Sequence, residues 1–420
     1  MRTSTILLGR LGALASIASA TTHHLFVGNL VPPAAIYALK FDDETNDFAV
    51  LKNNTADASH AWITFDHAKK NMYGASLNET RIASYRVLNE TTVELTRHIN
   101  ATGACYNTTS PFVVAMPTEP HLVFTASWPG PAGCAMSLGV SSRGVLNDTL
   151  YSWSYTNESA VHGLALAPMR NNNNNSTISN SNNSTSNRQL VYSADLKGNL
   201  IWTHSVDPTT GRASEVGRFP APKEGDHPRH LEVHPNGERL YVVLEAGNAV
   251  VEYAVDRDTG AVSAELGRHS LLPPDVDPEQ YWSAEVMLGP PVPANPGNAS
   301  HGAGAGADGG RYLWATARAE EEDAVGYVSA FLIGHNGGIV KRMFRVPTPT
   351  TGGIANAVSP APWSHEYAAM TDFGTGYVLM WKMEGRKDRD DGLVEYETAK
   401  AVARADIVDG GCCANAIWYS

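Results

Sequence analysis

The chain has 420 residues, with 31 Lys and Arg against 43 Asp and Glu, giving a formal net charge of -12 at pH 7. Only 18% of the residues are charged, Gly (37) and Pro (24) are plentiful, and no apolar run reaches the length that a membrane-spanning helix needs. The acidic balance argues against a broad nucleic-acid footprint, and the composition is that of a soluble globular protein with room for a local arginine site.

Residues 1–20 read as a signal peptide. Arg2 and Arg10 make the start basic, LGALASIA is apolar, and Ala18-Ser19-Ala20 supplies the small-residue cleavage pattern. A Ser-rich, acid-free, Arg-bearing start also fits a mitochondrial transit peptide, the competing reading. Asn-X-Ser/Thr triplets begin at Asn53, Asn78, Asn89, Asn100, Asn107, Asn147, Asn157, Asn174, Asn175, Asn182, Asn183 and Asn298. One such triplet is a weak signal, but a dozen behind a leader point to a secreted glycoprotein. Four cysteines allow three pairings. Cys105 and Cys134 flank a hairpin-like region and are the expected pair in an oxidising compartment, whereas a bridge between the neighbours Cys412 and Cys413 would be strained, and these two are expected simply to be buried.

A repeat runs through the remainder. AWITFDHAKKNMYGAS (61–76), LALAP…QLVYSAD (164–195), LEVHPNGERLYVVLEAGN (231–248) and NAVSPAPWSHEYAAMTD (356–372) share one form: a strand, a turn with Asp or Pro, and a strand with Tyr. Weaker copies lie at 113–127 and 286–320, giving a pitch of about 55 residues, comparable to the longer propeller repeats. LIWTHSV, AVVEYAVD, GYVSAFLI and YVLMWKME add further alternating runs between them. About seven units of four strands fit residues 21–420. The absence of a long amphipathic helix pattern disfavours a TIM barrel or Rossmann fold. The expectation is all-β: a single seven-bladed propeller, with the Asn/Ser tract 171–187 and the Pro/Gly/Ala-rich tract 290–310 as surface insertions.

The densest stretch is DHPRHLEVHPNGERLYVVLEAGN (226–248). Pro235, Asn236 and Gly237 form the turn of a hairpin. His227, Arg229 and His230 read as preceding its first strand, and Glu245 as ending its second, so charged groups fall where a scaffold displays function.

HHLFVGNL, ITFDHAKKNMYGAS, VHGLALAP, LVYSADLKGNLIWTH, GDHPRHLEVHPNGERLYVVLEAGN, PTPTTGGIANAVSPAPW and the C-terminal NAIWY resemble the fungal 3-carboxy-cis,cis-muconate lactonizing enzymes over nearly the whole chain beyond the leader. That resemblance implies a seven-bladed lactonase-type propeller, closed by NAIWY beside HHLFVGNL, that forms a lactone from a polycarboxylate diene without metal or other cofactor. It carries catalytic positions onto His162 in VHGLAL, Arg229 in HPR, Glu245 in LEAGN and Arg318 in TARAE. Two arginines suit a tricarboxylate, because a planar guanidinium holds a carboxylate bidentately. His162 is the candidate general acid/base, and Glu245 orients an arginine or shares proton transfer.

Each residue also has a plainer reading. Arg318 precedes Glu320, Glu321 and Glu322 and would then be a solvated ion-pair partner; Arg229 and Glu245 would bridge strands; His227 and His230 would be turn and face residues, and His23 and His24 strand-entry residues rather than metal ligands. The chain departs from the family where Gly352-Gly353-Ile354-Ala355 replaces a polar, His-containing loop, and in its leader, sequons and Cys412-Cys413. Those departures keep two alternatives open, a secreted lactonase hydrolysing a lactone and a non-catalytic binding propeller. The expected partner is a small carboxylate or lactone, with no nucleic acid and no membrane.

Overall fold

The computed structural model describes residues 21–130, 132–169, 188–293 and 310–420. The leader and the insertion 171–187 lie outside the described residues, as does all of 290–310 except 290–293 and 310. Among the described residues no helix is long and apolar enough to cross a membrane.

The alternating runs fold into seven four-stranded antiparallel sheets, arranged as the blades of a propeller. Blades 1 to 6 occupy 62–100, 112–154, 161–220, 228–270, 281–347 and 358–406, and each begins with its innermost strand. The six repeat copies are the first two strands of these blades, and LIWTHSV, AVVEYAVD, GYVSAFLI and YVLMWKME are third strands. Burial follows position. In blade 4 the second strand, Arg239–Leu244, is buried at every residue but the first, because neighbouring blades cover both of its faces. The outer strand Val262–Ser270 exposes five of its nine residues to solvent. Interblade packing supplies the core: Tyr192 and Ile201 of blade 3 pack with Leu231, Leu240 and Val251 of blade 4 in one buried cluster.

Local chemistry sets the hairpin of blade 4. Gly237 has φ of 72°, a conformation that glycine adopts without a Cβ penalty, and its N–H donates to the His234 carbonyl at 2.8 Å. The first strand runs Pro228–Val233, so Arg229 and His230 lie within it rather than before it, because the strand continues inward past the surface turn at His227 (φ 55°).

The seventh blade closes the ring. Its inner strand is Cys412–Trp418, which pairs antiparallel with Thr22–Asn29, Leu25 opposite Trp418 and Val27 opposite Ala416. Joining the two ends of the chain in one sheet leaves no open edge between first and last blades. Cys105 and Cys134 are bonded, tying the turn that enters blade 2 to that blade's third strand. Cys412 and Cys413 are buried as expected, and are bonded to each other within the closing strand.

Candidate active site

Three inner strands break their antiparallel register at the same end of the channel. The shift in blade 3 falls between Val161 and Gly163, in blade 4 between Pro228 and His230, and in blade 5 between Ser283 and Val286. The unpaired residues are therefore His162, Arg229, and the pair Ala284 and Glu285. A β-bulge turns its extra side chain out of the alternating pattern, and here the bulges bring such side chains together at one mouth.

Spacing between strands is set by Gly163. A Cβ there would lie 2.7 Å from the Arg229 carbonyl oxygen and 2.8 Å from the His230 ring. Blades 3 and 4 can approach this closely only without that atom. The approach brings His162 Nδ1 to 3.0 Å from His230 Nε2.

His162, Arg229, Glu245 and Arg318 all line one cavity of about 330 Å³, at the small end of the range for small-molecule sites. Glu245 follows the second strand of blade 4, and its Oε2 forms ion pairs with Arg229 Nε at 2.8 Å and with Arg318 Nη2 at 3.5 Å. Arg229 also donates to the Ala284 carbonyl of the neighbouring inner strand. Arg318 is buried rather than solvated beside Glu320, because the strand Arg311–Ala319 carries it inward, where its guanidinium stacks 5.2 Å from the Trp282 ring. Burial, then the charge of Arg229, lower its pKa, while Glu245 and Glu320 oppose that shift. The group remains cationic at neutral pH. Arg318 Nη1 and Asn356 Nδ2, both on the cavity, are buried donors with no hydrogen-bond partner among the described residues. A buried unsatisfied donor costs stability, so these two donors suit an anionic ligand that accepts from them.

The two histidines behave differently from free imidazole. Burial, followed by Arg229, His230 and Arg318, drives the His162 pKa well below its usual value, and burial with the same two arginines does so for His230. Both are neutral at pH 7. His230 Nδ1 lies 2.7 Å from Glu285 Oε2, and Glu285 Oε1 accepts from the Val286 N–H at 3.1 Å. Burial raises the Glu285 carboxyl to about 8 against the opposing pull of Arg229.

Sequence reasoning missed this second tier. His230 is no face residue: it lies in the channel with its ring 4.9 Å from Trp62 and 5.3 Å from Phe112. Glu285 sits in the run YWSAEVMLG, where a single carboxylate reads as the solvent side of an alternating strand; only the bulge turns it inward. His227 and His24 take the turn and strand positions expected, and His23 stacks on Trp363 at 3.6 Å. Among the described residues no three His, Cys, Asp or Glu side chains are grouped to hold a metal ion. Behind His230, Trp62 and Glu285 lies a second cavity of about 540 Å³, lined further along the same inner strands by Glu232, Val233 and Trp418.

The chain is similar to known proteins at both levels. It is 32% identical over 409 residues to the carboxy-cis,cis-muconate cyclase of Neurospora crassa, covering 94% of this chain and 99% of that one. Among solved structures, a periplasmic gluconolactonase of Pseudomonas aeruginosa superposes with a TM-score of 0.65 at 14% identity, over 95% of this chain and 99% of the other. A 6-phosphogluconolactonase-type protein of Bacteroides fragilis gives 0.64 at 15% identity, over 95% and 98%; at that identity both show the fold alone. The family described as Lactonase, 7-bladed beta-propeller, matches residues 24–291, and with the nearly full-length relative this shows that the chain belongs to the seven-bladed lactonase propeller family.

Proposed function

We propose that the protein is an intramolecular lyase of the carboxy-cis,cis-muconate cyclase type, closing a lactone from a polycarboxylate diene with His162, Arg229, Glu245 and Arg318 as its working groups. The observation that carries this reading is the convergence of two arginines and a histidine on one small cavity, in a chain similar along its length to a protein of that name. Lactone formation adds a carboxylate oxygen to a carbon–carbon double bond, moves the π electrons toward the adjacent carbon and its conjugated carboxylate, and places a proton on that carbon. Each part has a residue. Arg318 and Arg229, fixed by Glu245, hold the carboxylates and stabilise the charge that develops on the conjugated one. His162 supplies the proton through the ring nitrogen that His230 leaves unbound. Glu245, engaged with both guanidinia, positions them rather than moving protons.

The test offers the purified protein 3-carboxy-cis,cis-muconate and a panel of lactones, following loss of diene absorbance. We expect consumption of the diene. Arg229→Ala and Arg318→Ala should mainly raise KM, each by about 1.5–3 kcal/mol of lost charged hydrogen bonding, and His162→Asn should lower kcat about a hundredfold or more. A second reading has its own support: Ile354 and Ala355 make the wall of the cavity apolar where the resembled family carries a polar loop. An untouched diene with a hydrolysed lactone would replace the cyclase reading by a lactonase; neither reaction would leave a binding propeller. The protein is also inferred to be secreted and N-glycosylated, a reading supported by the leader and by the exposure of every described sequon asparagine.

A further inference from the structure

His162 presents a difficulty for any acid catalysis in this cavity. It shares its cavity with Arg229 and Arg318, whose charges both act on it, so an imidazolium would be a third cation there. Yet a carbon must be protonated. The hydrogen-bonded file behind it, His162 Nδ1 to His230 Nε2 at 3.0 Å and His230 Nδ1 to Glu285 Oε2 at 2.7 Å, offers a way around this.

We propose that His230 and Glu285 are a proton relay behind His162, so that His162 donates as a neutral imidazole and the proton delivered in each turnover is, in net, the carboxyl proton of Glu285. The file has two self-consistent arrangements. With Glu285 protonated, its O–H donates to His230 Nδ1, His230 Nε2–H donates to His162 Nδ1, and His162 carries its proton on Nε2, toward the cavity. With Glu285 ionised every bond reverses, and His162 Nε2 is a bare lone pair. Passing from the first to the second gives the His162 Nε2 proton to the substrate carbon, the His230 Nε2 proton to His162 and the Glu285 proton to His230. Three protons each move one place, no imidazolium forms, and Glu285 ends as a carboxylate. Water then restores its proton, because Glu285 also borders the second cavity, whose lining does not include His162.

This inference deepens the cyclase reading and rests on it for the direction of proton flow; the tautomer switch itself does not need substrate. Raised to about 8, the Glu285 carboxyl is protonated at neutral pH. The charged and titratable groups facing the file are Arg229 and Glu232 on the strand of His230, Arg311 and Arg318 on the second strand of blade 5, and Glu245 through its pairs with both arginines. Arg229 draws the Glu285 pKa down, and Glu285 in turn raises that of Glu232 so far as it is ionised.

Two measurements test the relay. Two-bond proton–nitrogen spectra of histidine-labelled protein, without substrate, report each tautomer. His162 and His230 should pass together from Nε2–H to Nδ1–H with a midpoint near pH 8, and Glu285→Gln should abolish the switch. Kinetically, Glu285→Gln should lower kcat about tenfold to a hundredfold with KM changed less than about threefold, and should remove the alkaline limb of the kcat profile, whereas Glu285→Asp keeps that limb. Independent or fixed tautomers in the folded wild type overturn the relay, as does a Glu285→Gln enzyme that retains the wild-type pH profile. If the wild type leaves the diene untouched, the cyclase reading falls and the spectra alone decide for or against the tautomer switch.

Discussion

Glu232 lies two residues beyond His230 on the inner strand of blade 4, so the pleat sends both side chains to the axis. Burial, reinforced by Glu285 and opposed by Arg311, lifts its carboxyl to about 8. In the unfolded chain a glutamate titrates near 4.3. Between these values the folded protein keeps a proton that the unfolded chain releases, so the glutamate lowers stability progressively as pH rises from about 4.5 to 8. Glu232→Gln removes that dependence. At pH 7.5 the variant should be more stable than wild type, on the order of 1–2 kcal/mol, with the difference closing toward pH 4.5; thermal unfolding across this range measures it, and a pH-independent difference would contradict the assignment. At this scale the sequence was legible where a family motif marked the residue, as in HPR, LEAGN and TARAE. It was opaque at Glu285 and at Asn356, since one polar residue within an apolar strand, or just before one, carries no sign of which way it points.

The inner strand is the element that decides those directions. Strict alternation would have sent His162, Arg229 and Glu285 to the sides set by their neighbours, and the three bulges override it at one level of the channel. Strand positions were readable because Val, Ile, Tyr and Trp recur with period two between turn residues. Bulges were not, because an extra residue in a β ladder has no composition of its own. Their effect depends on Gly163. Gly163→Ala would place a methyl group 2.7 Å from the Arg229 carbonyl oxygen, a backbone atom that moves only with its strand. Overpacking of this kind costs about 1–3 kcal/mol. The expected outcome is a lowered unfolding temperature together with a loss of turnover larger than any change in KM, since the strands forced apart are those that carry His162 and His230. A variant with reduced stability and undiminished kcat would show that the close approach serves packing alone.

For the whole molecule, ring closure puts every blade's inner strand on one axis, which is how side chains spread over 162–318 come to share a cavity. The repeat predicted the seven units, and the family resemblance implied the pairing of HHLFVGNL with NAIWY; the sheets bear out both. The same geometry sorts the sequons. Those among the described residues, Asn53, Asn78, Asn89, Asn100, Asn107, Asn147 and Asn157, are all exposed, and all belong to the closing blade, blades 1 and 2, or the turns beside them. Six of them lie away from the cavity lining. Asn78 differs: it follows Leu77, its Nδ2 donates to the Leu30 carbonyl at 2.9 Å, and both leucines line the cavity. A glycan attached there would stand at the rim of the mouth through which substrate enters. If the protein is exported and glycosylated, glycosidase treatment should lower its apparent mass, and Asn78→Gln should change KM while leaving kcat intact, since a rim glycan affects access and not the groups that move protons. Substitution at Asn53, Asn100 or Asn147, on outer strands, should change neither constant. A product whose mass does not respond to glycosidase would refute the export reading, and a KM that responds equally to all these substitutions would refute the special place of Asn78.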